Sequence, residues 1–523
     1  MNPACRIEEK CFNPSLGDVS SCMDADDPFE SWGFSLDVSK AHKRIRVRED
    51  ERGLLLFGLA GKLYCYKTCH FGAVFSAYWW ARTGGCLHRL LHAILWSWHC
   101  GWLYVDDWLW RLRRETSPLQ AALLALLLCV LGCPIGWHKT ALGPSIVWIG
   151  FQLHFDTLVV ELPPAKVQKI ADFLQLVASA NRSVERSSLE KGTGLLLWVT
   201  SACKIMRPWL CDFYSALATS TPLRLSLTRR QMAQILPLLD AQWVCAGRCP
   251  KGPVLPGMRL LAVGNDMPHS ADSVLASMSA SSKVSTLWRN PRSPKVPATD
   301  RLRATASQWR ASVLEGRWRF PLGALQQCAG SAAADACAAG TRVGIGGWFT
   351  LTDACRVPAD AWWFSLSFDV ADMPESWSMR PDSQTDIASY ELLAQVVLFV
   401  LRAQLRPPTR CRVRLSALTD NTPAEGAGNK LFTTAEPLRH VVRCLALWCA
   451  ALKCEIELDH VQGELNDLAD GLSRGKDSAF SSVAASRRLA VSLDDVCRVS
   501  HGSRLFPAGE PSVPAALAAA MRS

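Results

Sequence analysis

Two adjacent aspartates, Asp106 and Asp107, interrupt what would otherwise be one apolar run, with Leu95 to Leu103 before them and Trp108 to Leu112 after. Stretches of that composition seek burial as strands, so the charged pair has to sit where the chain reverses, which makes a strand-turn-strand hairpin. Aspartate at a turn is usually turn chemistry alone. Two crowded carboxylates also repel, and a bound cation offsets that cost. From Tyr104-Val105-Asp106-Asp107 by itself both readings stand: a plain turn, or one wall of a metal site.

The surroundings narrow the choice. Phe34-Ser35-Leu36-Asp37-Val38 reads as a short strand delivering one more carboxylate, followed by the basic run Ser39 to Arg44. His70 to Trp80 reads as a glycine turn leading into an aromatic helix, with Phe71-Gly72 and Ser76 at its start. After the aspartate pair come Leu131 to Thr140, carrying Lys139, and Val147-Trp148-Ile149-Gly150-Phe151. In this order the segments resemble the palm of a reverse transcriptase, most closely those of DIRS-like retroelements: a strand aspartate, Phe-Gly-x-x-x-Ser, Tyr-x-Asp-Asp, a lysine-bearing segment and a primer-gripping hairpin.

The resemblance implies an RNA-directed DNA polymerase in which Asp37, Asp106 and Asp107 hold magnesium, with manganese able to substitute. Such chemistry is an in-line phosphoryl displacement assisted by two divalent ions roughly 3.5–4 Å apart, and magnesium takes hard oxygen ligands. By the same resemblance Gly72 lets backbone approach the incoming nucleotide, Ser76 and nearby aromatics brace template and base, and Lys139 contacts substrate. His42 falls where the family carries an aromatic residue that screens the sugar 2′ position, a departure from the pattern.

A second acidic set lies in the C-terminal third. Asp335 precedes the glycine-rich pattern Val343 to Phe349, Glu391 opens an apolar helix from Leu392 to Leu405, Asp420 closes the alternating strand Arg412 to Leu418, and Asp470 ends the string begun by His460. His-x-x-Gly-x-x-Asn-x-x-Ala-Asp-x-Leu-Ser-Arg is the sharpest motif here. This succession resembles the ribonuclease H domain that follows the polymerase in many retroelements. The resemblance implies a metal set of Asp335, Glu391, Asp420 and Asp470, with His460 assisting proton transfer or product release. One departure is Gly330-Ser331-Ala332-Ala333-Ala334, whose poor strand propensity predicts a loose hold on Asp335.

Composition agrees without leading. A chain of 523 residues suggests about three domains. Its formal charge of +10 suits a polyanionic partner. The resemblance names the partners as RNA template, DNA primer, RNA–DNA hybrid and dNTPs, and leaves the oligomeric state open. The 21 tryptophans serve mostly as core, with some available for base stacking. The 21 scattered cysteines and the lack of a secretory signal point to a reducing intracellular compartment, nuclear or cytoplasmic. Cys65, Cys69 and His70, and Cys245 with Cys249, have zinc-like spacing but lie far apart in sequence. The apolar run Ala121 to Leu131 is too short to cross a bilayer and reads as a buried helix.

The expected fold class is α/β, more exactly α+β: a reverse-transcriptase palm and helical thumb or connection joined to a ribonuclease H-like mixed-sheet domain. The expected parts are an irregular segment 1–30, a palm 31–160, a helical thumb or connection 161–262, a basic Ser/Pro-rich linker 263–320, a ribonuclease H-like domain 321–478 and a disordered tail 479–523. Thr433-Thr434-Ala435-Glu436 reads as a capping box opening a helix with Leu438, Val441, Val442, Leu445 and Trp448 on its buried stripe. Only 36 residues precede Asp37, so the fingers look truncated and primer extension is expected to be weak or missing. Two alternatives stay open: a catalytically silent retroelement relic or domesticated nucleic-acid-binding protein, and a cellular ribonuclease H with an unrelated N-terminal domain.

Overall fold

The chain reverses at Asp106 as its composition requires. Strands His99–Tyr104 and Asp107–Arg113 form an antiparallel hairpin in which Tyr104 faces Asp107 across the two-residue turn Val105-Asp106. The computed structural model describes residues 7, 9, 11–23, 30–218, 222–246, 254, 258–263, 268, 270–276, 278, 283–289, 294–314, 319–405, 413–480 and 487–498. Helices and sheets mix throughout, an α+β architecture, divided between two compact units. The first is Met1–Val167 with Trp318–Cys328 and Pro407–Leu415; the second is Gln168–Arg317, Ala329–Arg406 and Ser416–Ser523.

In the first unit, strand Ser31–Asp37 pairs antiparallel with Asp107–Arg113, setting Asp37 opposite Asp107, and Ala141–Gly143 completes a four-stranded sheet. Period-two alternation puts Trp108, Trp110 and Leu112 on one face, where they are buried with Trp80 and Leu91 of helix Val74–Ala93 and Leu124 and Leu128 of helix Ser117–Val130. Each such burial is worth roughly 1.5–3 kcal/mol. Helix Ser117–Val130 buries one face only and leaves Leu119, Leu126 and Val130 exposed, so the apolar run is not buried throughout. A second antiparallel hairpin, Ser145–Trp148 with Phe151–His154, turns at Ile149 and Gly150, both at positive φ. The segment expected to be irregular, 1–30, contains helix Leu16–Ser21, because Ser15 and Asp18 form a capping box and Leu16 and Val19 are buried.

In the second unit a sheet runs in the order Trp362–Asp369, Arg342–Phe349, Ala332–Ala339, Val413–Thr419, and Cys454–His460 pairs with the last of these. The first three strands are antiparallel; the third meets the fourth in parallel, Ala333 opposite Leu418. Helix Ile387–Leu405 packs on one face, backed by Leu438–Leu452, and the short helix Asp467–Ser473 packs on the other. The strand with poor propensity is well formed over eight residues and buried from Ala332 to Ala336. It is paired on both sides and closely packed: a Cβ added at Gly347 on the neighbouring strand would stand 2.9 Å from the Ala334 Cβ. Packing overrides propensity there.

Four further expectations change. The region 161–262 is not purely helical. Helices Pro164–Ala178, Arg186–Val199 and Cys211–Ala218, with a 3₁₀ turn at Lys204–Leu210 around Pro208, give way to strands Pro222–Thr228 and Arg259–Val263.

The stretch 263–320 is not a plain linker. Strand Lys283–Arg289 pairs with both of those strands, and its Trp288 is buried with Leu227, Leu260 and Val263; helix Asp300–Leu314 follows. The stretch 479–523 is ordered over 487–498, where Val496 and Cys497 are buried and the Val496 carbonyl accepts from Trp448 Nε1 at 3.0 Å; the rest of that tail from residue 499 lies outside the described residues. Helix Leu438–Leu452 buries its foreseen stripe, but its N-cap is Pro437, which has no side-chain acceptor, so the capping box at Thr433 does not form. Among the described residues no helix is long and apolar enough to cross a membrane.

Candidate active site with two carboxylate clusters

In the first unit the antiparallel register alone brings three carboxylates together. Asp37 ends its strand, Asp107 begins the strand opposite, and Asp106 occupies the turn. Ligand oxygens of the three lie within 4.8 Å of one another. Val105 sits at φ 54°, a left-handed conformation costly for a β-branched residue. Its carbonyl accepts the Trp80 indole N–H at 2.6 Å, and the Asp106 carbonyl accepts Val38 N–H at 3.1 Å, so the turn is fixed from both sides.

Asp37 is 5% exposed. Burial, then the hydrogen bond with Asp37 and the charges of Asp106 and Asp37, push the Asp107 carboxyl up to about 6. Lys139 opposes this: its Nζ lies 2.9 Å from Asp37 Oδ1, and that hydrogen bond raises the ammonium above its ordinary value. Gly136 makes the approach of its segment possible. It donates N–H to the Asp37 carbonyl at 2.8 Å, and a Cβ there would stand 2.7 Å from Asp37 Oδ2.

The remaining expected residues of this unit are more dispersed. Gly72 has φ 89° and open space where a Cβ would be, at the turn into helix Val74–Ala93. His42 lies in the 3₁₀ turn Ala41–Arg44 with its ring edge-on to Phe71 at 5.3 Å. Ser76 is 1% exposed and lies against the Cys69 thiol, so it lines no open surface. No metal-type group forms at Cys65, Cys69 and His70 or at Cys245 among the described residues, and Cys249 lies outside them.

In the second unit Asp335, Glu391 and Asp420 bring ligand oxygens within 4.8 Å of one another. They come from the third strand, the long helix and the end of the fourth strand. Gln395, one turn after Glu391, donates Nε2 to the Ala334 carbonyl at 3.0 Å and to the Leu418 carbonyl at 2.9 Å. It thereby straps the helix across the two parallel strands at the level of the carboxylates. Sequence reading passed over Gln395; the signal was a lone amide in an apolar helix.

Asp335 is 4% exposed and accepts the Ser473 hydroxyl at 2.9 Å. Burial, joined by the charges of Asp420 and Asp470, pushes its carboxyl up to about 6 against that hydrogen bond. Glu391, 5% exposed, is pushed up to about 9, by burial first and then by Asp335 and Asp420. Its Oε2 is buried without a hydrogen-bond partner.

Asp470 contributes charge but stands outside the converged group, because Arg474 donates Nε to its Oδ1 at 2.8 Å and to its Oδ2 at 3.0 Å. Helix Asp467–Ser473 reaches the sheet through two glycines. A Cβ at Gly344 would lie 2.0 Å from the Ser473 carbonyl oxygen, and one at Gly346 2.4 Å from the Leu472 carbonyl carbon. His460 is exposed at the end of strand Cys454–His460. Gly463, from the same motif, passes close enough that its Cβ would stand 3.3 Å from Asp420 Oδ2.

No family model matches the chain, and no curated protein matches it. Among solved structures it is similar to a foamy viral protease-reverse transcriptase in complex with double-stranded DNA, at 11% identity and TM-score 0.37, over 88% of this chain and 61% of that one. A second structure of a foamy viral protease-reverse transcriptase with double-stranded DNA gives 12% identity and TM-score 0.37, over 88% and 72%. The RNase H1 of the halophilic archaeon Halobacterium salinarum NRC-1 gives 14% identity and TM-score 0.21, over 28% of this chain and 96% of that one. The chain thus spans 61% of the first of these neighbours. Values this low carry no assignment, and the carboxylate geometry stands on its own.

Proposed function

We propose that each unit carries a divalent-metal centre for phosphoryl transfer, the first an RNA-directed DNA polymerase palm and the second a ribonuclease H that cleaves RNA in RNA–DNA hybrids. The observation that carries this reading is Glu391. A carboxyl buried beside Asp335 and Asp420, with one oxygen left without a partner, is pushed up to about 9 and keeps its proton at neutral pH unless a cation takes the proton's place. Three hard oxygen donors on separate elements fit magnesium or manganese.

Asp335, Glu391 and Asp420 would hold the ions in the second unit, with Asp470 joining by exchanging Arg474 for metal. Asp37, Asp106 and Asp107 would hold them in the first. Bound there, the metal would lower the pKa of a nucleophile and stabilise the leaving oxygen. The protein's own part is placement. Gln395 and Ser473 orient the second carboxylate set, Trp80 and Gly136 the first, and exposed His460 would exchange a proton with a leaving group. RNA template, DNA primer, hybrid and dNTPs are the substrates of this reading, and 31–160 and 321–478 its two functional regions.

A second reading has one observation in its favour. Lys139 already gives Asp37 a cationic partner at 2.9 Å, as a protein that keeps the fold and binds nucleic acid without polymerising would need. The assay that separates the readings runs primer extension on an RNA template alongside hydrolysis of an RNA–DNA hybrid, both with magnesium. Hybrid cleavage lost in Asp420→Asn, in a variant with unchanged circular dichroism, supports the nuclease. Cleavage persisting in that variant refutes it.

A further inference from the structure

The first unit holds an aromatic column that neither carboxylate cluster uses. Strands Leu56–Leu59 and Lys62–Cys65 form an isolated two-stranded hairpin with Phe57 opposite Tyr64. The Phe57 ring lies 5.6 Å from Tyr64 at 23° and 4.7 Å from Tyr66 at 31°, and Tyr66 stacks on His70 at 4.3 Å and 24°. The rings follow one another in the order Tyr64, Phe57, Tyr66, His70, stacked at both ends and tilted in the middle, and the outermost, Tyr64, stays open at 43% exposure with Phe57 behind it at 36%. Such a hairpin is marginal unaided, and cross-strand ring contacts are what hold it.

The column sits in a basic setting. Residues 40–70 carry eight Lys or Arg against three Asp or Glu. Two of the acids are taken up locally, Asp50 by Arg48 and Glu49 by Arg52, each at 2.7 Å. Lys62 shares the strand face of Tyr64, and Lys62, Lys67, Arg44 and Arg46 are all exposed. Stacked aromatic faces with positive charge beside them suit unpaired bases on a phosphate backbone. A lipid surface would use the charge and the apolar area but not the parallel stacking.

We propose that this hairpin is a binding platform for single-stranded nucleic acid, on which an unpaired base extends the ring column beyond Tyr64 while Lys62 and Lys67 meet phosphates. The inference rests on the polymerase reading only for the role of the strand, not for its binding. The test is fluorescence anisotropy of a labelled oligo-dT and an oligo-U with the full chain in EDTA, where no phosphoryl transfer runs. Tyr64→Leu should weaken binding about tenfold, the low end of the range for one stacked base. Tyr64→Trp should hold it or tighten it, and Lys62→Gln with Lys67→Gln should flatten the salt dependence by about 1.4 in log–log slope.

Equal affinity of Tyr64→Leu and Tyr64→Trp overturns the proposal. So does preferential retention on vesicles of anionic lipid that Tyr64→Leu abolishes. Asp106→Asn serves as the separating control. Undiminished oligonucleotide binding by it leaves this platform standing, whatever becomes of the polymerase, and binding lost in it overturns the platform.

Discussion

Trp80 donates its indole N–H to the carbonyl of Val105 at 2.6 Å, and this bond ties helix Val74–Ala93 to the turn that presents Asp106. The turn needs the tie because Val105 is held at φ 54°. Trp80→Phe keeps most of the ring volume and removes the donor. Urea unfolding should show a loss of about 1–3 kcal/mol, the cost of a buried carbonyl left without its partner. Val105→Gly should relieve the strain and recover part of it in the double variant.

Gly344 and Gly346 set the distance between helix Asp467–Ser473 and the sheet. With a Cβ at Gly344 predicted 2.0 Å from a backbone oxygen, Gly344→Ala must displace the helix carrying Ser473 and Asp470. Thermal melts should show a loss of about 1–3 kcal/mol, and hybrid cleavage should fall with it. Gly426→Ala is the control, since a Cβ there meets nothing within 4 Å inside helix Thr422–Lys430; it should stabilise by about 0.5–1 kcal/mol.

Acid should weaken the first unit through its histidines. Trp108 Nε1 donates to His88 Nδ1 at 3.1 Å, which puts the His88 proton on Nε2 facing His92 Nε2 at 3.1 Å. His92 Nδ1 then donates to His99 Nε2 at 2.9 Å, and His99 Nδ1 to the Ser97 carbonyl at 2.7 Å. An added proton on His88 or His92 faces a donor. Burial holds both below the usual imidazole value of 6.5, His92 at about 4. The unfolded chain takes up protons first as pH falls, so the stability present above 6.5 drains away as pH drops toward 4. Urea midpoints at pH 7 and pH 5 measure this, and the difference should shrink in His92→Gln.

Glu391 has the opposite sign. Its carboxyl rises from the ordinary glutamate value of 4.5 to about 9 in the folded chain, so the folded state holds the extra proton and metal-free stability falls as pH climbs through that window. In EDTA at pH 8, Glu391→Gln should therefore melt at a higher temperature than the wild type. Magnesium should stabilise the wild type more than the variant, which keeps only the carboxylate group of the first unit whole.

The hairpin at Asp106 was legible because it depends on local pattern, an apolar run interrupted by charge, whereas the meeting of Asp37 with it was legible only from the order of the motifs. The convergence of Asp335, Glu391 and Asp420 was legible from the order of motifs. What escaped depends on partners distant in sequence. Strand Lys283–Arg289 pairs with Pro222–Thr228 across more than fifty residues, and its Ser- and Ala-rich approach hid the alternation of buried Thr286 and Trp288. Val496 is held by Trp448 Nε1, which no composition of the tail reveals. The strand at Ala332 forms against its propensity because it is paired on both sides and buried over Ala332 to Ala336.

Calorimetric titration with Mn²⁺ tests the central claim most directly, comparing the wild type with a chain carrying Asp37→Asn and Asp335→Asn together. The wild type should bind manganese with release of protons from the raised carboxyls, and the double variant should give no binding heat while keeping its circular dichroism. Equal binding by the two proteins would contradict the assignment of these carboxylates as metal ligands.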